Sequence, residues 1–285
     1  MPERPTTDSL PAEQWAGEMG EKWLKHLDRF EGMIAPIGEA LMTYAAFRPG
    51  QRVADVGCGA GATSLDIAQQ VGREGEVIGI DISPQLIDAA ARRAQAAKAD
   101  NVSFRCADAA VIRMEGPRFD RLFSRFGLMF FADPMAAFAN LHRLVRPGGR
   151  IDFCAWAPAR ENMWVAQMMA IIGQHVELPA PVPRAPGPFA LEDPDYIREL
   201  LGRGGFADVH IDSWNGDQLV AGAGASARQA TDFVSDAMSF GRLLDNAGPG
   251  VREEVNAQLT ALFTRYHDAE GVRMSAKALL VSAIA

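Results

Sequence analysis

VADVGCGAGA, residues 53–62, is an apolar run that ends in three alternating glycines, Gly57, Gly59 and Gly61. A strand that breaks into such a turn brings backbone close to a ligand, because glycine adopts positive φ without steric cost. ATSLDIAQQV (62–71) follows with a helical pattern. The free N–H groups of that helix start, set behind the glycines, suit an anion.

The surroundings repeat the unit. RVADVG (52–57), EVIGIDI (76–82), VSFRCAD (102–108), FDRLFSRF (119–126) and RIDFCAW (150–156) read as strands, with helices over 62–71, 84–98 and 133–145. Short links between alternating strands and helices predict a parallel sheet covered on both faces. After Ala157 the rhythm breaks. A helix over Asn162 to Val176 and the proline-rich LPAPVPRAPGPF come first; a helix (194–203) and a strand (209–214) then resume the pattern. Residues 226–270 read as mostly helical and 276–284 as the last strand. Residues 1–10 read as irregular. Helices over Pro11 to Phe30 and Met33 to Phe47 precede the core, the first with Trp15, Met19, Trp23 and Leu27 along one face and weakened by Gly17 and Gly20.

The expected architecture is an α/β, Rossmann-like, seven-stranded and mostly parallel sheet with helices on both faces and an antiparallel last strand. Residues 1–47 would form a helical lid and 48–157 the cofactor-binding core. Residues 158–192 would be a cap insertion, 193–214 more core, 215–275 a helical cap insertion, and 276–285 the final strand.

Of the 285 residues, 48% are hydrophobic, enough for a sizeable core. The net charge of −8 and the scattering of the arginines disfavour nucleic acid as a partner. Three cysteines, Cys58, Cys106 and Cys154, without CxxC or histidine-rich spacing, argue against a metal site and for a reducing compartment. No stretch suggests a signal peptide or membrane span. A cytoplasmic enzyme with a small-molecule partner, compatible with a homo-oligomer, is expected.

The glycine turn alone fits a pyrophosphate or an amino-acid carboxylate. Asp55, two residues before Gly57, would repel the first and welcome the ammonium group of the second. Asp81 in GIDIS can accept ribose hydroxyls from either kind of ligand, and Asp108 in CADA can accept from an adenine amine. At VADVGCGAGA, GIDIS, VSFRCADA, FDRLFSRFGLMFFADP and LHRLVRPGGRIDF the chain resembles the class I S-adenosylmethionine-dependent methyltransferases, most closely the small-molecule branch grouped with ubiquinone/menaquinone biosynthesis. The resemblance implies that Gly57 and Gly59, with Gly61 behind them, meet the methionine end. It implies Asp81 on the ribose, Asp108 and Ala109 on the adenine, and Ser124 and Arg125 facing the methionine and the transferred methyl. Cys58, as a small space-filling member of the loop, Ile82 beside Asp81, and Trp23 on the lid complete the expected contacts with S-adenosyl-L-methionine.

The reaction so implied is methyl transfer to an O, N, C or S nucleophile of a small, largely apolar acceptor. Phe126, Phe130, Trp156 and Trp164 are expected to enclose that acceptor, with His175 as the base if one is used. One alternative is an NAD(P)-dependent oxidoreductase. The short-chain kind needs Tyr-x-x-x-Lys, whereas Tyr44, Tyr196 and Tyr266 are followed at that spacing by Arg48, Leu200 and Glu270. The other alternative is an adenosyl-cofactor-binding protein without catalysis. A DNA amino-methyltransferase is disfavoured, since Ser-Arg-Phe-Gly stands where those enzymes carry a Pro-Pro motif.

Overall fold

A computed structural model describes residues 12–285 apart from Ser239; the irregular stretch expected at 1–10 lies outside the described residues. Helices α1 (Ala12–Trp15), α2 (Glu18–Lys25) and α3 (Leu27–Ala45) come first. The expected division into helices over 11–30 and 33–47 is therefore corrected. The chain breaks at Gly17 and His26, and residues 27–45 form one helix. Phe30, Met33, Ile34, Ile37 and Leu41 keep one buried face running past Gly32, and burial of that face outweighs the glycine's low propensity.

The core then alternates as expected: β1 (Arg52–Val56), α4 (Ala62–Val71), β2 (Glu76–Asp81), α5 (Pro84–Ala97), β3 (Val102–Cys106), β4 (Phe119–Arg125), α6 (Pro134–Leu144) and β5 (Val145–Trp156). Helix α7 (Met163–Ile172), α8 (Pro194–Gly204), β6 (Ala207–Val220), α9 (Ala227–Ala237), α10 (Gly241–Ala247), α11 (Pro249–Arg265), β7 (His267–Asp268) and β8 (Gly271–Ile284) complete it. The sheet order is β3-β2-β1-β4-β5-β8-β6, and the two-residue β7 pairs with β8. β1 to β5 run parallel, and β8 is antiparallel to both β5 and β6. The seven-stranded sheet with an antiparallel last strand is thus present, with β7 as a short addition.

Register assigns the faces. Asp55 pairs with Gly79 and Phe123, Gly79 with Phe104, and Phe123 with Asp152, so these residues share one face. Helix α3 lies on it through Ala45, whose carbonyl accepts from Arg121, and α4 through Thr63 and Ser64, which bind Asp55. On the other face Phe138 of α6 packs edge-on against Phe153. The strand order reverses between β1 and β4, so their carboxyl ends open the crevice where such sheets bind ligands.

Two boundaries differ usefully from the sequence reading. β6 and β8 were expected at 209–214 and 276–284, yet they pair as far as Val220↔Val272. β5 stops at Trp156, opposite Ala278, so the β6–β8 ribbon continues past the carboxyl edge of the sheet on its own hydrogen bonds. The helices α9 to α11 fill the chain between the two ends of that ribbon.

Candidate active site

The three loop glycines all have positive φ, and each answers to a different neighbour. A Cβ on Gly57 would stand 2.7 Å from the Cα of Gly127, so there the exits of β1 and β4 touch backbone to backbone. A Cβ on Gly61 would meet Ala90 of α5 at 2.9 Å and the Phe104 ring at 3.0 Å, so this glycine seats helix on sheet. Gly59 alone has room: the nearest atom is Trp23 Nε1, 3.9 Å away. The loop is tied to β2 by Gly57 and Cys58 N–H groups, which donate to the Ile80 carbonyl.

Asp55 is fully buried. Its Oδ2 accepts from Thr63 Oγ1 and Ser64 Oγ, both at 2.7 Å, whereas Oδ1 has no partner among the described residues. Burial pushes its pKa up to about 6, against the pull of those two hydroxyls and of the Arg125 charge. Asp81 accepts from Gly59 N–H at 2.8 Å and from Ser83 N–H at 2.9 Å. Ser83, not Asp81, caps α5. Burial raises the Asp81 pKa, and the backbone donors oppose the rise. The Cys58 thiol is raised well above its ordinary range by burial and by Asp55 and Asp81, which makes it unreactive.

Ser124 does not present a free hydroxyl. It is buried, donates to the Val56 carbonyl at 2.7 Å and accepts from Gly127 N–H, so it braces the two strand exits. Arg125 differs: it packs along Gly38 of α3 and forms no ion pair or hydrogen bond with the described residues. β3 ends at Cys106, which places Asp108 and Ala109 in the loop beyond it rather than on the strand. Asp108 there accepts from Ala110 N–H, and Asn140 of α6 donates to the carbonyls of Ala109 and Ile112. Ile82, half-buried, follows Asp81, and its carbonyl accepts from the Cys106 thiol.

The four aromatic residues expected around an acceptor fall into two groups. Phe126, held at φ +63°, stacks on Trp156 with centroids 4.4 Å apart, and Trp156 meets Trp164 of α7 at 5.5 Å. Phe130 instead packs against Trp15 at 4.9 Å, in a chain that continues through Trp23 to Phe30. His175 lies in the turn beyond the C-terminal end of α7. Its Nε2 is buried without a partner among the described residues.

Two contributors escaped the sequence reading. Gly127 was visible as a glycine at a strand exit, but its role needs β1 and β4 side by side. Asn140 sits in an ordinary helix pattern and gives no local sign.

Residues 53–149 match a family described as a methyltransferase domain. They form a methyltransferase domain. Aklanonic acid methyltransferase DauC of Streptomyces sp. strain C5 is 34% identical over 120 residues, which cover 42% of this chain and 54% of DauC. The alignment thus spans about half of that relative's length. The domain's surroundings also have structural counterparts. Phosphoethanolamine N-methyltransferase 2 of Haemonchus contortus, solved with S-adenosyl-L-methionine, superposes with a TM-score of 0.59 at 14% identity, over 97% of this chain and 60% of that one. The [4+2]-cyclase SpnF gives 0.57 at 18% identity over 99% of both chains. These likenesses are of fold. No group of three or more His, Cys, Asp or Glu among the described residues could hold a metal ion, and no described helix is long and apolar enough to cross a membrane.

Proposed function

We propose that the protein transfers a methyl group from S-adenosylmethionine to a nucleophilic atom of a small, largely apolar acceptor. Asp55 carries this reading. A buried carboxylate with one unpartnered oxygen beside the glycine turn suits an ammonium group and opposes a pyrophosphate. The uncapped start of α4 and the unpaired Arg125 supply positive potential for a carboxylate nearby. Asp81 would take the ribose hydroxyls with the lone pairs its backbone donors leave, Ile82 would flank it, and Asp108 and Ala109 would take the adenine. Gly59 leaves room for the ligand under Trp23. When bound, the cofactor supplies a methyl group already activated on a sulfonium.

The chain's own contribution is then alignment and exclusion of water, and alignment alone can supply on the order of 7–11 kcal/mol. The Phe126–Trp156–Trp164 stack offers flat apolar walls for the acceptor. His175 would serve as the base if the acceptor needs one. A second reading is that the same fold holds an adenosyl ligand without methyl transfer. Two measurements decide. Calorimetry should show binding of S-adenosylmethionine and S-adenosylhomocysteine but not NAD or NADP. Labelled cofactor with a panel of phenols, acids and amines should give a methylated product. Tight NAD binding without a response to either adenosyl compound overturns the assignment. Adenosyl binding with no transfer to any acceptor favours the second reading.

A further inference from the structure

Gln218 is fully buried, and neither its amide oxygen nor its amide nitrogen has a hydrogen-bond partner among the described residues. The other buried residues with an unmet polar atom, Trp15, Asp55, Trp164 and His175, each leave only one. An apolar side chain of similar size would fill the same space without leaving two polar atoms unpaired. A buried amide unmet at both ends is free to pair with a complementary group that carries one donor and one acceptor.

Register places it. Gln218 is on β6 opposite Met274, four residues along the ribbon from the Trp214↔Ala278 pair that lies level with Trp156. Strand residues two apart share a face, so Gln218 lies on the face of Trp214, Ala278 and Trp156. The β4–β5 register Arg125↔Cys154 puts Arg125 on that face too, and Asp55 shares it through Phe123. Helix α3 crosses this side of the sheet. Its Gly38 lies against the Arg125 side chain and its Gly32 against Gly222, just past the end of β6. Only about 9 Å of helical rise separates those two glycines. The ribbon carrying Gln218 therefore runs past the carboxyl edge of the sheet on the face that also carries Arg125 and Trp156.

We propose that Gln218 reads the acceptor by pairing with a neutral edge that carries a donor beside an acceptor, as in a lactam or carboxamide. A primary amide offers one N–H and one carbonyl side by side, and such an edge satisfies both. A carboxylate would face the Gln218 carbonyl with like charge, and an ammonium would leave that carbonyl's neighbouring N–H₂ unmet. The planar Phe126 and Trp156 rings favour a flat body behind this edge. The inference rests on the methyl-transfer reading only in naming the ligand as the acceptor.

The test uses the full chain, saturated with S-adenosylhomocysteine, and two probes: 4-hydroxy-2-quinolone and its N-methyl derivative, which lacks the N–H donor. Calorimetry should give at least tenfold tighter binding of the first. Gln218→Leu should abolish that preference, leave S-adenosylhomocysteine affinity unchanged and raise the thermal midpoint of the unliganded protein, because it removes two unmet polar atoms. Gln218→Glu should likewise lose the preference, and it checks the result should the leucine variant misfold. Absence of a preference in the unmodified protein, or a preference that survives in Gln218→Leu, overturns the proposal. Failure of the adenosyl compound to bind overturns the cofactor reading instead, and the quinolone comparison then tests Gln218 without it.

Discussion

Asp55 is the residue whose behaviour is most sharply set by its surroundings. Burial lifts its pKa from the ordinary 3.8 to about 6. Between those values the folded chain binds a proton that the unfolded chain has released, so its contribution favours folding at low pH and is lost as pH rises through about 6. A shift of this size corresponds to about 3 kcal/mol. Denaturant titrations from about pH 4 to about pH 7 should therefore show a falling component of stability that Asp55→Asn removes. Cofactor affinity should run the other way, rising as Asp55 ionises to face an ammonium group, and the asparagine variant should flatten that rise. An unchanged pH profile of binding in Asp55→Asn would leave the carboxylate as a brace for Thr63 and Ser64 alone. The carboxylate and the glycines were legible because they stand together in sequence. What divides the glycines' tasks was not, since Gly57 answers to Gly127, Gly61 to Phe104, and Gly59 to Trp23, all far along the chain.

Among the elements, α2 shows how a correct letter can be read with the wrong consequence. Gly20 looks like a weak point in a helix. In the structure a Cβ there would stand 2.4 Å from the Trp15 carbonyl and 2.5 Å from Ser83 Oγ, so the glycine is what lets α2 lie on the N-terminus of α5. Leu24 and Trp23 then pack against Ala60 and Leu86, beside the glycine turn. At the far end Lys25 and His26 reach Asp236 of α9 at 2.5 and 2.7 Å. These contacts support α1 and α2 as a lid with seats on two parts of the molecule, and lids of this kind exclude water and complete a site. Hydrogen exchange across residues 14–25 should slow when S-adenosylhomocysteine binds. Gly20→Ala should raise exchange there in the unliganded protein and weaken the ligand by roughly tenfold, about 1.4 kcal/mol. Equal exchange with and without ligand would make α2 an ordinary packed helix.

For the whole molecule, the strand–helix alternation of residues 52–156 could be read directly, because its strands contain apolar runs and Gly, Pro or Asp stands at or beside the turns between elements. The ribbon formed by β6 and β8 could not: its outer residues, such as Asn215, Asp217 and Ser275, are polar, and only their mutual pairing makes them strands. The consequence is that the crevice is built from distant parts of the chain. On the proposed reading its floor would come from the β1 and β4 exits, its lid from α2, one side from α3 and α7, and a wall from the ribbon that α9 to α11 connect. A ligand that touches so many elements should stabilise them together, since binding to the native state alone adds RT ln(1 + [L]/Kd) to folding. At a hundredfold excess over the Kd found by calorimetry this is about 2.7 kcal/mol, and for a chain of this size the thermal midpoint should rise by roughly 4–5 °C. S-adenosylhomocysteine should produce that rise, and NAD at the same concentration should not. Gly20→Ala and Asp55→Asn, compared at the concentration that saturates the unmodified protein, should each shrink it, one through the lid and the other through the floor. A full shift in both variants would mean that the adenosyl compound is held away from the glycine turn.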